Sequence, residues 1–273
     1  MAAESRTAVA AALLGNLALA VLKGIAALVT GSAAMLAETF HSVADCGNQV
    51  LLFVGMRLAE RPPDERHRFG HGKNVYFWAF VVSGLLFSVG GGFAIWEAVR
   101  TFLHPHPHES FAWAWGVLVG SLVFESLSIS VALRALLRDK GNEPLRDYLR
   151  DVRDPTVLTV VCEDAAALAS ILIAAAGIAL TELTGAAIWD GIASGSIGVL
   201  LIGVAVFLAM ENYSLLLGET APPDVERRIR EAVTRDPALA ALVALYTMHL
   251  GPTSLLVALE VHFRPGPAPL DAT

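Results

Sequence analysis

The sequence predicts an all-α polytopic membrane protein, six transmembrane helices followed by a short cytoplasmic α+β C-terminal unit, and three observations carry that prediction. First, the 273 residues are 55% hydrophobic and only 16% charged, with mean hydropathy +0.59, which is too apolar for an ordinary soluble domain. Second, six stretches, about residues 7–29, 34–58, 75–101, 111–137, 156–181 and 187–210, each offer the roughly 20 residues that cross ~30 Å of hydrocarbon. Third, the basic residues are segregated between the links. The link after the second span holds Arg61, Arg66, Arg68 and Lys73, and the link after the fourth holds Arg138, Lys140, Arg146, Arg150 and Arg153. The other three links, GSAA, HPHPHES and TELTG, hold neither Lys nor Arg.

That asymmetry places both termini in the cytoplasm by the positive-inside rule, with a bacterial inner (plasma) membrane as the expected setting. The formal net charge of −7 carries little weight, because charge in such a protein is read loop by loop; the expected surroundings are the lipid bilayer, with no nucleic-acid partner. The first apolar segment is too long for a signal-peptide core and contains Lys23, so it reads as a retained membrane helix. Cys46 and Cys162 fall in apolar helices and imply no disulfide framework.

After the sixth span the composition changes. ETAPPDVERRIREAVTRDP opens with prolines and Asp224, a helix-start signal, and its Val225, Ile229 and Val233 recur at helical spacing. LVALYTMHLG and SLLVALEVHFR then read as two strands joined by a Gly-Pro turn, and PGPAPLDAT reads as a disordered tail. The expected organisation is a transport domain over 1–210 and a cytoplasmic α-β-β domain over 211–273.

Function is written in the residues that do not belong in lipid. The second span, ETFHSVADCGNQVLLFVGM, carries Glu38, His41, Asp45 and Asn48, although a charged side chain at the bilayer centre costs about 3 kcal/mol or more. Spacings of three and four put these on one helical face. In the fifth span Glu163 and Asp164 interrupt an apolar run. Imidazole and carboxylate meeting inside a bundle suit Zn²⁺, with Mn²⁺, Fe²⁺ and Co²⁺ as alternatives. A buried structural hydrogen-bond network between two helices is the other reading.

Lys23 reads as a structural residue that neutralises an acid or snorkels to the interface. Glu125 reads as a proton relay or a paired acid, while Glu97, Arg100 and Asp190 read as interfacial or capping groups. The basic link PPDERHRFGHGKNVYF holds Asp64, His67 and His71, where Gly70 and Gly72 argue for a loop whose path spacing alone does not determine. His104, His106 and His108 alternate with prolines on the outer side and offer a loose metal-binding tract or a plain exposed loop. His249 and His262 read as surface residues of the strands.

Six spans, H-S-x-x-D at His41 and Asp45, D-x-x-H-x-F-G-H-G-K from Asp64 to Lys73, and a small αβ tail together resemble the cation diffusion facilitator family of proton-coupled exporters of zinc and related divalent metals. HSVAD, CEDAAALA and NYSLLLGE are most similar to its divergent branch that includes a mitochondrial zinc transporter. The resemblance implies a transport site at His41, Asp45 and Asp164 and a loop site at Asp64, His67 and His71. Family members carry His four residues before the fifth-span acid, where this chain has Val160. Glu163 is therefore the fourth-ligand candidate, with water or Asn48 as alternatives. The family's cytoplasmic unit is α-β-β-α-β, and this chain stops after the second strand.

The resulting expectation is a homodimeric, non-enzymatic divalent-cation exporter, with Zn²⁺ carried outward and protons inward by alternating access. Rival readings are a membrane metal-binding or scaffold protein that does not transport, and an exporter of an organic cation.

Overall fold

The structure is a computed structural model that describes residues 2–104, 111–140 and 155–264. Arg146, Arg150, Arg153, His106, His108 and the proline-rich tail lie outside the described residues. Among the described residues, seven membrane-region helices and a π-helical segment make six long spans. These are α1 (Ala2–Thr30), α2 (Ala33–Ala59), a third span built from α3 (Asn74–Leu85), the π segment (Leu86–Gly92) and α4 (Phe93–Leu103), then α5 (Phe111–Lys140), α6 (Pro155–Thr184) and α7 (Ile188–Leu217). Helix α8 (Pro223–Thr234) and the strands β1 (Leu239–Gly251) and β2 (Ser254–Phe263) follow.

Five of the six spans are long and apolar enough to cross a membrane on their own composition. The sixth, α2, has the length at 27 residues but not the apolarity, because Glu38, His41, Asp45, Asn48 and Gln49 sit within it. Its polar face is turned inward, with Glu38, His41, Ser42 and Asn48 buried. Large apolar side chains such as Leu28, Leu172 and Val199 point outward instead, the arrangement expected where the surrounding solvent is hydrocarbon. The interior is packed with Ala34, Met35, Ala37, Ala44, Ile171, Ile178, Ile197 and Leu201 in one continuous cluster, and small residues let the helices approach closely.

The third span differs from the plain helix expected over 75–101. Its centre winds as a π-helix where three glycines, 90–92, run together. A Cβ on Gly91 would stand 2.5 Å from Ile202 Cγ1 and 3.1 Å from the Gly198 carbonyl oxygen, so only glycine allows this backbone to meet α7. The last span also runs past residue 210 to Leu217, ending at Gly218 with φ +113°, a left-handed helix stop.

At one end of the bundle α1 turns into α2 through Gly31 (φ +67°) and Ser32, whose hydroxyl caps α2 by accepting from the Met35 N–H at 3.1 Å. Asp190, in the first turn of α7, accepts from the Ser32 hydroxyl at 2.7 Å, from the Ala34 N–H at 3.2 Å and from the Ala33 N–H. The expected capping role is thus real, but Asp190 caps the second span, not its own helix. At the opposite end β1 and β2 pair antiparallel, with Leu245 opposite Leu259 and Thr247 opposite Val257, as the strand pattern predicts. This hairpin packs on the link between α2 and α3: a Cβ on Gly72 would lie 2.4 Å from the Leu250 carbonyl oxygen. Lys73 donates from Nζ to the Leu216 carbonyl at the end of α7, at 3.1 Å, where a cation meets the negative end of the helix dipole.

Candidate metal centres

On α2, His41 Nδ1 lies 3.6 Å from Asp45 Oδ1, one turn away, with the imidazole fully buried and the carboxylate 14% exposed. Neither ring nitrogen of His41 has a hydrogen-bond partner, and one Asp45 oxygen is likewise unsatisfied. Buried donors and acceptors are normally satisfied, which makes His41 and Asp45 candidates to hold a ligand.

The two acids of α6 face different neighbours. Glu163 is buried and accepts at Oε1 from Asn48 Nδ2 of α2 at 2.6 Å. Asp164 is half-buried and accepts at Oδ2 from the Ser128 hydroxyl of α5 at 3.1 Å. Adjacent residues on a helix diverge by about 100°, and here that divergence sends Glu163 toward the His41 helix and Asp164 toward α5. Ser128 gives no signal in the sequence, since a serine inside an apolar helix is commonplace. Val160 is half-buried and brings no ligand.

Lys23, from α1, is completely buried and bonded to Glu38 at 2.8 Å, also completely buried, and it donates to the Ser42 hydroxyl at 2.9 Å. It neutralises an acid and does not snorkel. Glu125 of α5 is buried in the same bundle. Near the bundle end away from the hairpin, Glu97 and Arg100 pair at 3.4 Å.

The link site is more closely gathered. Among the described residues, Asp64, His67 and His71 form the group in which three possible ligand atoms lie within 4.8 Å of one another. His67 Nδ1 lies 3.0 Å from Asp64 Oδ1, His71 Nε2 lies 3.2 Å from Asp64 Oδ2, and the imidazole centroids are 4.5 Å apart. The path that spacing could not supply comes from two backbone features. Asp64 Oδ1 accepts from the N–H groups of His67 at 2.6 Å and Arg66 at 2.9 Å, and Gly70, at φ +84°, turns the chain so that His71 returns to the carboxylate. The His67 backbone N–H holds the Asp64 carboxyl down at about 2, helped by the His67 side chain, the Arg66 N–H and the His71 side chain, against an opposing desolvation that is second in size only to that N–H. A carboxylate ionised across the working pH range beside two imidazoles is a donor set for a borderline divalent ion.

His104 is exposed at the end of α4, and His262 is exposed as expected. His249 is not a surface residue: it is 8% exposed, because the end of β1 docks where its N–H donates to the Glu219 carbonyl at 3.0 Å.

Six helical spans with an inward polar stripe define a polytopic membrane bundle, and comparison with known proteins fixes its family. The family model described as the cation efflux transmembrane domain matches residues 9–217. The chain belongs to this cation efflux, or cation diffusion facilitator, family, a family of transporters and not of enzymes. It is 35% identical over 244 residues to the mitochondrial proton-coupled zinc antiporter SLC30A9 of Xenopus laevis, covering 88% of this chain and 44% of that protein. It is 31% identical over 263 residues to metal tolerance protein C4 of Arabidopsis thaliana, covering 96% and 58% respectively. It is 28% identical to magnetosome protein MamM of Magnetospirillum gryphiswaldense, covering 85% of this chain and 69% of that protein. The chain therefore spans less than half the length of SLC30A9.

Proposed function

We propose that this chain exports a divalent metal cation, zinc first among them, across a membrane in exchange for protons, by alternating access. The observation that carries the proposal is the fully buried His41 with two unpartnered ring nitrogens, one turn from Asp45, inside a helix that otherwise has membrane dimensions. In this reading the transported ion is the substrate, held by His41, Asp45 and Asp164, with Glu163, which reaches Asn48 on α2, as the fourth ligand. The name of the similar antiporter supports zinc and proton coupling; Mn²⁺, Fe²⁺ and Co²⁺ are the other ions such donors accept.

Chemistry supplies the coupling. Metal needs neutral imidazole and ionised carboxylate, so a proton arriving at the cluster competes with the metal, and an inward proton gradient drives metal outward. Asp64, His67 and His71 gather metal at the cytoplasmic mouth in this scheme. Residues 1–210 carry transport and 211–273 form the cytoplasmic unit, in a homodimer with both termini cytoplasmic in a bacterial inner membrane. Arg61, Arg66, Arg68 and Lys73, at the same end of the bundle as the hairpin, support that orientation.

The test is uptake into everted vesicles bearing the chain. Zinc accumulation that depends on a proton gradient, without accumulation of organic cations, is the expected result. Zinc binding without uptake would favour a scaffold, and uptake of organic cations would replace the metal reading altogether.

A further inference from the structure

A buried ammonium beside a cation site demands an explanation. Lys23 is the one lysine or arginine buried among the described residues, and its Nζ is committed to Glu38 Oε2 at 2.8 Å and Ser42 Oγ at 2.9 Å. Both partners lie beside His41 on α2: Glu38 is three residues before it and Ser42 immediately after. Glu38 and His41, at a spacing of three, are neighbours on one helical face. The other Glu38 oxygen, Oε1, is buried and has no hydrogen-bond partner. A carboxylate with a vacant buried oxygen thus stands one turn from an imidazole with two vacant nitrogens. A buried ion pair adds little net stability over an apolar pair of like volume, so stability alone does not account for this one.

Resting on the reading that His41 and Asp45 hold the transported ion, we propose that Lys23 is a specificity-determining residue that occupies Glu38 and keeps it out of the metal's coordination shell. With Oε2 bonded to the ammonium and the Glu38 charge balanced by it, Glu38 competes poorly for the ion, and the donors from α2 are one imidazole and one carboxylate. Releasing Glu38 would add a second α2 carboxylate and make the set richer in oxygen. Carboxylate suits manganese, while imidazole suits zinc, so the ammonium tunes the site toward zinc without touching the ion.

The experiment measures Zn²⁺ and Mn²⁺ binding by calorimetry on the full chain in detergent, in a background of His67→Ala with His71→Ala that silences the link site. Lys23→Met is expected to shift the ratio of affinities toward Mn²⁺ by about tenfold, the scale of effects from groups around a metal. Lys23→Met combined with Glu38→Gln is expected to restore the original ratio, because the freed ligand is gone. Glu38→Gln alone is expected to weaken both ions alike and leave the ratio in place. A role confined to folding would move stability and not this ratio. If Lys23→Met does not fold, the other two variants still decide: a changed ratio in Glu38→Gln alone, or in the double variant, overturns the proposal. An unchanged ratio in folded Lys23→Met overturns it as well, while Asp45→Ala in the same background still loses metal. If Asp45→Ala keeps its metal, the α2 site itself is wrong and the role of Lys23 falls with it.

Discussion

Asn48 of the second span donates a 2.6 Å hydrogen bond to Glu163 of the fifth, so it is Glu163, and not the neighbouring Asp164, that reaches across to the helix bearing His41 and Asp45. This one contact assigns the two acids different surroundings and sets up a direct comparison between them. Glu163→Gln is expected to cost zinc affinity by at least about tenfold, since an amide is a poorer ligand and leaves the charge of Zn²⁺ unbalanced. The measurement is a calorimetric titration of Glu163→Gln beside Asp164→Asn. Unchanged affinity in Glu163→Gln, with affinity lost in Asp164→Asn, would leave Asp164 as the α6 ligand and remove Glu163 from the shell. Val160→His adds an imidazole one turn from Asp164 and is expected to raise preference for zinc over manganese in the same titration.

At the link, His71→Ala is expected to weaken apparent zinc affinity in transport while leaving a substantial maximal rate, because the membrane residues are untouched. Transport kinetics over a range of zinc concentrations separate the two quantities. Loss of zinc binding at the membrane residues of a folded His71→Ala protein would contradict this division.

Asp64 carries a pH signature. Its carboxyl is held at about 2, chiefly by the His67 N–H, against about 3.9 in an unfolded chain. A depressed carboxyl contributes to the folded link above the unfolded value, and that contribution is lost as pH falls from about 4 through about 2. His67→Ala keeps the backbone donor but removes the imidazole, so the Asp64 midpoint is expected to rise only part of the way, as followed by carboxyl NMR. A full return to the unfolded value would show that the side chain, and not the backbone, holds it.

At the bundle end away from the hairpin, Asp190→Ala removes the acceptor for the Ser32 hydroxyl and two α2 N–H groups. Losing a buried helix cap that is also a charged hydrogen-bond acceptor is expected to cost about 2 kcal/mol, read as a lowered unfolding midpoint in detergent with zinc affinity unchanged.

Much of this was legible in the sequence, for identifiable reasons. Membrane spans are long and their solvent is uniform, so apolar length located five, the length of α2 added the sixth despite its polar stripe, and spacing alone put Glu38, His41, Asp45 and Asn48 on one face. What escaped depends on tertiary contact. The π turn exists where Gly91 meets Gly198, the link site closes because Gly70 turns the chain back to Asp64, and His249 is buried because β1 docks beside Glu219. Which neighbour each acid faces, Asn48 for Glu163 and Ser128 for Asp164, needed the orientation of α6 in the bundle, which no local pattern encodes. Lys23 was readable as a neutralising charge, but its partner became visible only with α1 packed against α2.

The central claim, that a divalent ion crosses through the α2 and α6 residues in exchange for protons, is tested most directly in proteoliposomes. The chain would be reconstituted with a pH-sensitive dye inside, and Zn²⁺, Mn²⁺, Fe²⁺ and Co²⁺ presented in turn to the wild type and to Asp45→Ala. The account predicts that zinc entry into the lumen is matched by proton exit in the wild type, and that both fluxes fall to background in a folded Asp45→Ala protein. Zinc flux that persists in Asp45→Ala, or that moves no protons in the wild type, would contradict it.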